Sequence, residues 1–404
     1  MPTYNPGSGT RPVGSSPVSP DRPARGGAGW APSVGLLGPF AWLLLASLVI
    51  ASPSIGRAQG AGSEGEVAEA RRLSQEAEKL AAAGRFSEAL PLVQRALAIG
   101  ERALGPEHPV VAVSLANLAV AYGAQGRYPE AEPLHRRALA IREKAFGAEH
   151  PAVASSLASL AGLYGIQGRY AHAELLYRRA LAIREKTLGS QHPEVAAGLN
   201  SLGVLYAAQG KYPAAEPLHR RALAIREEAF GGQHPAVASS LNDLAELYRA
   251  QGRYSEAEPL HRRALAIGEN VLGPEHPAVA VSLNNLALLY RAQGKYAEAE
   301  PLHRRALAIG EQVLGPEHPR VATSLNNLAV LYAAQGKYTE AEPLYRRALS
   351  IGERVMGPEH PSLALVLESL AAVLRETDRW AEATQLEGRA RLIRAKHVQI
   401  APAQ

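Results

Sequence analysis

The chain has 404 residues, of which 47% are apolar and only 5% aromatic, and it contains no cysteine. The missing cysteines exclude disulfides, thiolate metal sites and cysteine nucleophiles, and the abundance of Ala, Leu, Glu and Arg favours closely packed helices. Of the net charge of +5, +3 lies in residues 1–60. The remainder is close to neutral and lacks the concentrated basic patch expected of a nucleic-acid-binding protein, so no nucleic acid is expected as a partner.

The first part of the chain has the composition of a leader. Residues 1–33 are rich in Pro, Gly, Ser and Arg, which predicts a disordered n-region. An apolar stretch follows at 34–51, and its central run, Phe40–Ala51, has 12 residues. That is shorter than the ~20 residues of a membrane-spanning helix and within the ~7–15 of a signal peptide.

Residues 34–58 are therefore predicted to be a signal peptide cleaved near Ala58, where Gly56 and Ala58 supply small residues. Two alternatives stay open: an uncleaved membrane anchor, with 34–51 as the tether, or a hydrophobic tail without a targeting role. Arginines ahead of the apolar stretch would keep the N-terminus in the cytoplasm. The body of the chain is accordingly expected to be exported, either to the cell envelope or as a secreted protein.

A repeat of 42 residues organises the rest of the chain. The dipeptide His-Pro recurs at this step from His108 to His360, and Gln-Gly-(Arg/Lys)-Tyr recurs at the same step from Gln125 to Gln335. A fixed period of this size predicts stacked supersecondary units, and degenerate copies at both ends fit the capping of a solenoid. The predicted units are 67–105, 109–147, 151–189, 193–231, 235–273, 277–315, 319–357 and 361–397, followed by a tail at 398–404.

Each unit is predicted to be a helical hairpin. Pro319 can open a first helix, because proline at the first helical position loses no useful N–H. Gly336 ends that helix, a second helix runs from about Thr339 to Val355, and Gly357 ends it before the next His-Pro.

The pattern Leu325-x-x-Leu328-Ala329-x-x-Tyr332, followed by Ala341-x-x-x-Tyr345, resembles the tetratricopeptide (TPR) repeat. The 42-residue unit, with its LNNLA, QGKY and HP elements, is similar to the kinesin light chain type over residues 67–397. The resemblance implies an all-α solenoid, a right-handed superhelix of about eight hairpins that binds partners and is not an enzyme. Kinesin light chains join the motor chain through a long heptad segment, and no sustained heptad pattern lies between Gly60 and Gly84. No motor chain is therefore expected as a partner.

A second stripe of the first helix is the candidate binding surface. On a helical wheel, Leu325, Leu328, Ala329 and Tyr332 form the core face, whereas Thr323, Asn326, Val330 and Ala333 form another stripe. In kinesin light chains the corresponding stripe lines the concave groove, and its asparagines hold the backbone of an extended peptide. The resemblance therefore predicts these peptide-binding residues: Asn200, Asn242, Asn284, Asn326, Arg249, Arg291, Thr323 and Val330.

A carboxamide can pair with both backbone groups of a strand-like ligand. Arg249 and Arg291 favour an acidic ligand, although Glu246 in the same stripe tempers this. Replacing Asn242 and Asn284 by alanine is expected to weaken binding and leave stability intact. The alternative is that the asparagines only bond neighbouring helices.

Other polar residues have simpler explanations. The His-Pro histidines are separated by a whole hairpin, on the order of 20 Å, which is too far to share a metal ion; we interpret them as structural punctuation and expect no metal and no cofactor. His135, His219, His261 and His303 share their position with Tyr177 and Tyr345, which indicates packing. Arginine pairs such as Arg304-Arg305 follow Glu300 by four and five residues and predict ion pairs within the helix.

The sequence thus favours an exported, non-enzymatic scaffold that binds an extended and acidic segment of a protein partner. A purely structural or self-associating solenoid, acting through its convex surface, is the alternative.

Overall fold

A computed structural model describes residues 61–398. The predicted n-region, the predicted signal or anchor and all but the first residue of the predicted tail lie outside the described residues. Within the described part the chain forms sixteen helices and no strand. In chain order, α1 to α16 are Ala61–Ala82, Phe86–Leu104, Pro109–Ala124, Tyr128–Phe146, Pro151–Ile166, Tyr170–Leu188, Pro193–Ala208, Tyr212–Phe230, Pro235–Ala250, Tyr254–Leu272, Pro277–Ala292, Tyr296–Leu314, Pro319–Ala334, Tyr338–Met356, Leu363–Glu376 and Trp380–Val398.

The helices pair into eight hairpins, from unit 1 (α1 and α2) to unit 8 (α15 and α16), and each pair packs more extensively than any other two helices. The predicted all-α solenoid is confirmed. The first helix of unit 1 begins at Ala61 and that of unit 8 at Leu363. The predicted unit ranges stay a prediction.

Local chemistry fixes both ends of the first helix. In unit 6, Pro277 is the first helical residue, and Nδ1 of His276 accepts a hydrogen bond from the Ala278 amide at 3.1 Å. The same cap opens the first helix of units 2 to 7. At the other end Gly294 adopts a φ of 75°, and the Lys295 amide donates to the Tyr290 carbonyl at 2.9 Å, as in a Schellman motif. The interpretation of His-Pro as structural punctuation is confirmed.

The core is built from small and medium apolar side chains. In unit 6, Val279 and Leu283 of the first helix pack with Ala306 and Ile309 of the second, and Leu265 of unit 5 packs against the same cluster. Each cluster therefore joins successive units as well as the two helices of one unit. The predicted core face at Leu325, Leu328, Ala329 and Tyr332 is buried. No helix among residues 61–398 has both the length and the apolar character needed to cross a membrane.

The first helices lie on the inner side of the array. In most neighbouring units the first helices contact each other, as α9 does with α11 and α11 with α13, whereas the second helices of neighbouring units show no comparable contact. An array whose first helices lie closer together than its second helices curves with the first helices inside. The stripe predicted to bind a ligand is part of these inner helices.

The outer side carries a ladder of ion pairs between units. Arg304 pairs with Glu300 in its own helix at 2.9 Å, as predicted, but Arg305 reaches Glu269 of the preceding unit at 2.6 Å. The prediction that both arginines pair within their helix was therefore wrong for the second one. Equivalent pairs between units are Arg137–Glu101, Arg179–Glu143, Arg221–Glu185, Arg263–Glu227, Arg347–Glu311 and Arg389–Glu353.

Candidate functional site

The inner stripe consists, in each unit, of the four positions equivalent to Thr323, Asn326, Val330 and Ala333. In unit 7 all four side chains are half-buried, between the core face and the concave surface. The Thr323 hydroxyl bonds the Pro319 carbonyl of its own helix at 3.3 Å. Val330 and Ala333 add apolar surface beside it.

Asn284 does not simply face the groove, because its carboxamide bridges two units. Its Oδ1 lies 2.8 Å from Nδ1 of His303 in the second helix of its own unit. Its Nδ2 donates to Oγ of Ser324, in the first helix of the next unit, at 2.9 Å. Asn284 is 9% exposed and His303 is fully buried. A carboxamide held in this way ties three helices together through buried hydrogen bonds.

Asn242 and Asn200 make the same bridge. Asn242 lies 2.9 Å from Nδ1 of His261 and donates to Ser282 at 3.0 Å. Asn200 lies 3.1 Å from Nδ1 of His219 and donates to Ser240 at 3.3 Å, and it also donates to Asp243 at 2.7 Å. These contacts match the alternative that the sequence left open, in which the asparagines bond neighbouring helices. Peptide binding by Asn200, Asn242 and Asn284 stays a prediction that the structure does not test.

The histidines of these bridges are held neutral. Burial, followed by the nearby Arg291, lowers the pKa of His303 to about 3, and burial with Arg249 lowers the pKa of His261 to about 3. The packing role predicted for this histidine series is confirmed, since all of its members are buried: His135, His219, His261 and His303.

Asn326 occupies the same position without the bridge. The second helix of its unit carries Tyr345 where a histidine would stand, and unit 8 carries Val366 where a serine would stand. Among the described residues, the Asn326 side chain makes no hydrogen bond, and it is half-buried. Its carboxamide is therefore available on the inner stripe.

Arg249 is largely neutralised within the stripe. Its Nε donates to Glu246 at 2.8 Å and its Nη2 donates to the other carboxylate oxygen at 2.5 Å. Both side chains are shielded from solvent, at 14% and 20% exposure. Although burial alone would lower the pKa of Arg249, its hydrogen bonds to Glu246 raise it. Glu246 thus pairs with Arg249 as its place in the same stripe suggested, and the attraction of Arg249 for an acidic ligand stays a prediction.

Arg291 lies one unit further on and differs in its pairing. It is half-buried, and within residues 61–398 its guanidinium has neither an ion pair nor a hydrogen bond. Burial, followed by repulsion from Arg249, lowers its pKa. Among the described residues, the inner stripe thus holds on unit 6 a partly desolvated positive charge that has no direct ion-pair or hydrogen-bond partner.

The remainder of the stripe is mainly apolar. Val113, Val281 and Leu365, at the position of Thr323, are 39%, 41% and 50% exposed. Units 2 and 3 place Ala116 and Ala158 at the asparagine position. The stripe is thus small and apolar towards unit 2 and cationic at unit 6.

The described residues contain no group of three or more His, Asp or Glu side chains placed to hold a metal ion. The His-Pro histidines lie one unit apart, and those of units 2 to 7 each cap a helix.

Sequence reasoning missed the partners of the asparagines. A signal for them exists in the repeat itself. Units 4 to 6 combine the asparagine with a histidine 19 residues later and a serine 40 residues later, whereas unit 7 lacks both partners. Comparing the units position by position would have separated Asn326 from the other three asparagines.

Comparison with known proteins assigns the family. The model for the tetratricopeptide repeat matches seven overlapping ranges: 70–144, 116–186, 176–228, 194–270, 248–312, 278–351 and 320–395. The chain belongs to the tetratricopeptide repeat family. This family is one of protein-interaction scaffolds, and the predicted recognition is confirmed at that level. The kinesin light chain type rests on the 42-residue unit itself.

Several solved structures resemble this TPR protein. BtubC (BKLC) from P. vanneervenii is 26% identical over 59% of this chain and 93% of its own, with a TM-score of 0.46. A putative kinesin light chain repeat protein from Podosopora anserina is 33% identical over 51% and 97%, with a TM-score of 0.44. A Rap protein complexed with Competence and Sporulation Factor is 14% identical over 82% and 99%, with a TM-score of 0.51, and shares the fold. No curated protein matches the sequence.

Proposed function

We propose that this TPR protein is an exported scaffold whose inner stripe binds an extended, acidic segment of a partner protein. The family accounts for the general role, because TPR proteins bind other proteins. The chemistry of the inner stripe accounts for the class of ligand.

Arg291 carries the proposal. A half-buried guanidinium without a carboxylate partner has lost part of its hydration and gained no ion pair in return. An incoming carboxylate can bond such a group in a bidentate manner. Arg249 adds no second free charge, since Glu246 pairs with it. The ligand is therefore expected to place one acidic group at unit 6.

The flanking stripe favours a peptide in extended form. Asn326, one unit beyond Arg291, has a carboxamide that can pair with a backbone N–H and C=O. Val281, Val330 and the side-chain methyl of Thr323 provide apolar contacts around it, and Val281 is 41% exposed. Spacing these groups over successive units suits a chain that follows the stripe. The Rap protein of the same fold, solved in complex with Competence and Sporulation Factor, is a precedent for ligand binding by such an array.

Selection from a displayed library of random 12-residue peptides on the immobilised full chain tests this function. Recovered peptides should be enriched in Asp and Glu, and Arg291→Gln should weaken their binding about 10- to 150-fold, the effect of losing a charge-assisted hydrogen bond. Arg391→Gln is the matched control, because Arg391 is exposed on α16 and makes no ion pair within the described part of the chain. Recovery of peptides without acidic enrichment, or an equal loss in both variants, would contradict the proposal.

Export is proposed from the leader sequence alone. Fusing residues 1–65 to a reporter that is active only outside the cytoplasm should give activity. N-terminal sequencing of the mature protein then decides between cleavage near Ala58 and retention through residues 34–51. An intact but silent fusion would overturn the localisation.

A further inference from the structure

The two ends of the array meet. The turn after the first helix of unit 1 lies against the start of unit 7, where Nε2 of His318 is 3.3 Å from the Ala82 carbonyl. The same turn in unit 2 lies against the start of unit 8, and a Cβ placed on Gly126 would be 2.7 Å from Cδ of Pro361. A Cβ on Gly84 would collide with Pro319. Both contacts join unit n to unit n+6.

Further contacts run along the same junction. The second helices of units 1 and 7, α2 and α14, contact each other. The ring of Tyr128, at the start of α4, meets the ring of His397, near the end of α16, edge-on at 6.2 Å. Units 1 and 2 therefore contact units 7 and 8 through several side chains.

The junction buries motifs that are exposed elsewhere. His318 and His360 are 3% and 7% exposed, whereas His234 and His276, in the same motif, are exposed. The turn glycines behave in the same way: Gly84 and Gly126 are buried. Since the local sequence is shared by all of these units, the difference comes from the contact between the ends.

We propose that this junction is a latch that holds one turn of the solenoid closed around its inner stripe. The latch consists of the turns at Gly84 and Gly126 and the His-Pro dipeptides that begin at His318 and His360. The closed state encloses the stripe laterally, so a partner segment enters by a free chain end or when the latch opens. That statement on entry rests on the proposed function, whereas closure itself does not.

The neutral form of His318 fits both of its contacts. Nδ1 accepts from the Arg320 amide at 3.1 Å, so Nε2 carries the proton and can donate to the Ala82 carbonyl. In units without the latch, the equivalent Nε2 has no such acceptor from a distant unit within residues 61–398. His318 therefore caps a helix with Nδ1 and contacts unit 1 with Nε2.

Cysteine cross-linking tests the latch directly, because the chain has no cysteine of its own. Ala83→Cys and Glu317→Cys place two exposed thiols on opposite sides of the junction, next to Gly84 and His318. In the full chain they should form a bond within one molecule, seen as a shifted monomer band under denaturing, non-reducing conditions. No cross-link, or a cross-link only between molecules, would overturn the closed turn.

Glycine substitutions supply the matched comparison. Gly84→Ala with Gly126→Ala should slow the cross-link about tenfold, which corresponds to about 1.4 kcal/mol, because an overpacked contact must open. Gly210→Ala with Gly252→Ala should change it less than about twofold, although these glycines have the same left-handed φ of 72° and 74° and nothing near their Cβ positions. An equal slowing in both pairs would refute the latch. If circular dichroism showed that the first double variant had lost helix content, the cross-linking rates of the single variants Gly126→Ala and Gly210→Ala would be compared instead. The first should again be slowed and the second should not.

Discussion

Asn284 and Asn326 occupy the same position of successive units, yet one is a buried bridge and the other is half-buried without a side-chain hydrogen bond among the described residues. Asn284 bonds His303 and Ser324, whereas the positions equivalent to these partners of Asn326 hold Tyr345 and Val366. The carboxamide is the same in both units, so its role is set by residues 19 and 40 positions later. In a repeat protein, the identity of one residue therefore does not fix its function until its partners in the next helices are known.

The largest difference in stability should appear when the bridging asparagines are replaced by alanine. Asn242→Ala with Asn284→Ala leaves two histidines and two serines without partners, and each unsatisfied buried group costs about 1–3 kcal/mol. We expect the free energy of unfolding to fall by at least about 2 kcal/mol, measured by urea denaturation followed by circular dichroism. This reverses the expectation from the sequence that stability would hold.

Asn326→Ala is the control for that experiment. It removes no hydrogen bond within the described residues, and alanine is the better helix former. Its stability should be unchanged or slightly higher. Equal losses at Asn284 and Asn326 would show that the bridges contribute nothing to stability.

The bridges should also make stability depend on pH. Burial lowers the pKa of His219 to about 4 and that of His261 and His303 to about 3, below the ~6.5 of an unfolded chain. As the pH falls below about 6.5, the unfolded chain binds protons that the folded chain does not. Stability then falls by at most about 1.4 kcal/mol per pH unit for each histidine.

Asp243 acts in the opposite direction. Burial raises its pKa to about 6, so between about 4 and 6 the folded chain binds the extra proton and offsets about one histidine. Denaturation at pH 7.5, 6.0 and 5.0 measures the balance. His303→Tyr, which copies unit 7, should reduce the slope by about one proton; an unchanged slope would contradict the assignment.

A smaller effect is expected from rebuilding the bridge in unit 7. Tyr345→His with Val366→Ser supplies both missing partners. In a double-mutant cycle with Asn326→Ala, the coupling energy should be about 0.5–1.5 kcal/mol. The cycle is needed because the two substitutions also change the volume of the core. Zero coupling would mean that the partner residues alone do not make the bridge.

The smallest effect belongs to the outer ladder. Arg305→Gln removes an ion pair with Glu269 whose side chains are 40% and 33% exposed. Such pairs are worth about 0–1 kcal/mol and are screened by salt. The loss should be under about 1 kcal/mol at low ionic strength and smaller still in 1 M NaCl. If Arg305→Gln lowered the free energy of unfolding as much as the asparagine double variant does, the ion pairs of the outer side would be the main interactions that hold neighbouring units together.

The fold followed from the sequence because its determinants are local and repeated. His276, Pro277 and Gly294 fix the ends of a helix within one unit, and the spacing of Leu325 and Leu328 fixes its buried face. Because these signals recur in most units, a helix boundary that is ambiguous in one unit can be predicted from the others.

The site was less predictable because it depends on contacts between units. Assigning Asn200, Asn242 and Asn284 to the groove used the helical wheel of one helix, and their partners lie on two other helices. The same reason explains Arg305, whose partner belongs to the preceding unit. Ligand binding by Arg291 and Asn326 stays a prediction, and only the three-dimensional arrangement separates them from paired residues of the same type.

The offset between the meeting ends has a consequence for the size of the array. Unit 1 meets unit 7 and unit 2 meets unit 8 through a turn and a His-Pro dipeptide that most units share. Gain or loss of one 42-residue segment by recombination within the gene would leave the chemistry of each such meeting unchanged and alter only their number. The number of repeats then sets, one contact at a time, how strongly the two ends are held together. This number can change without the evolution of a new interface.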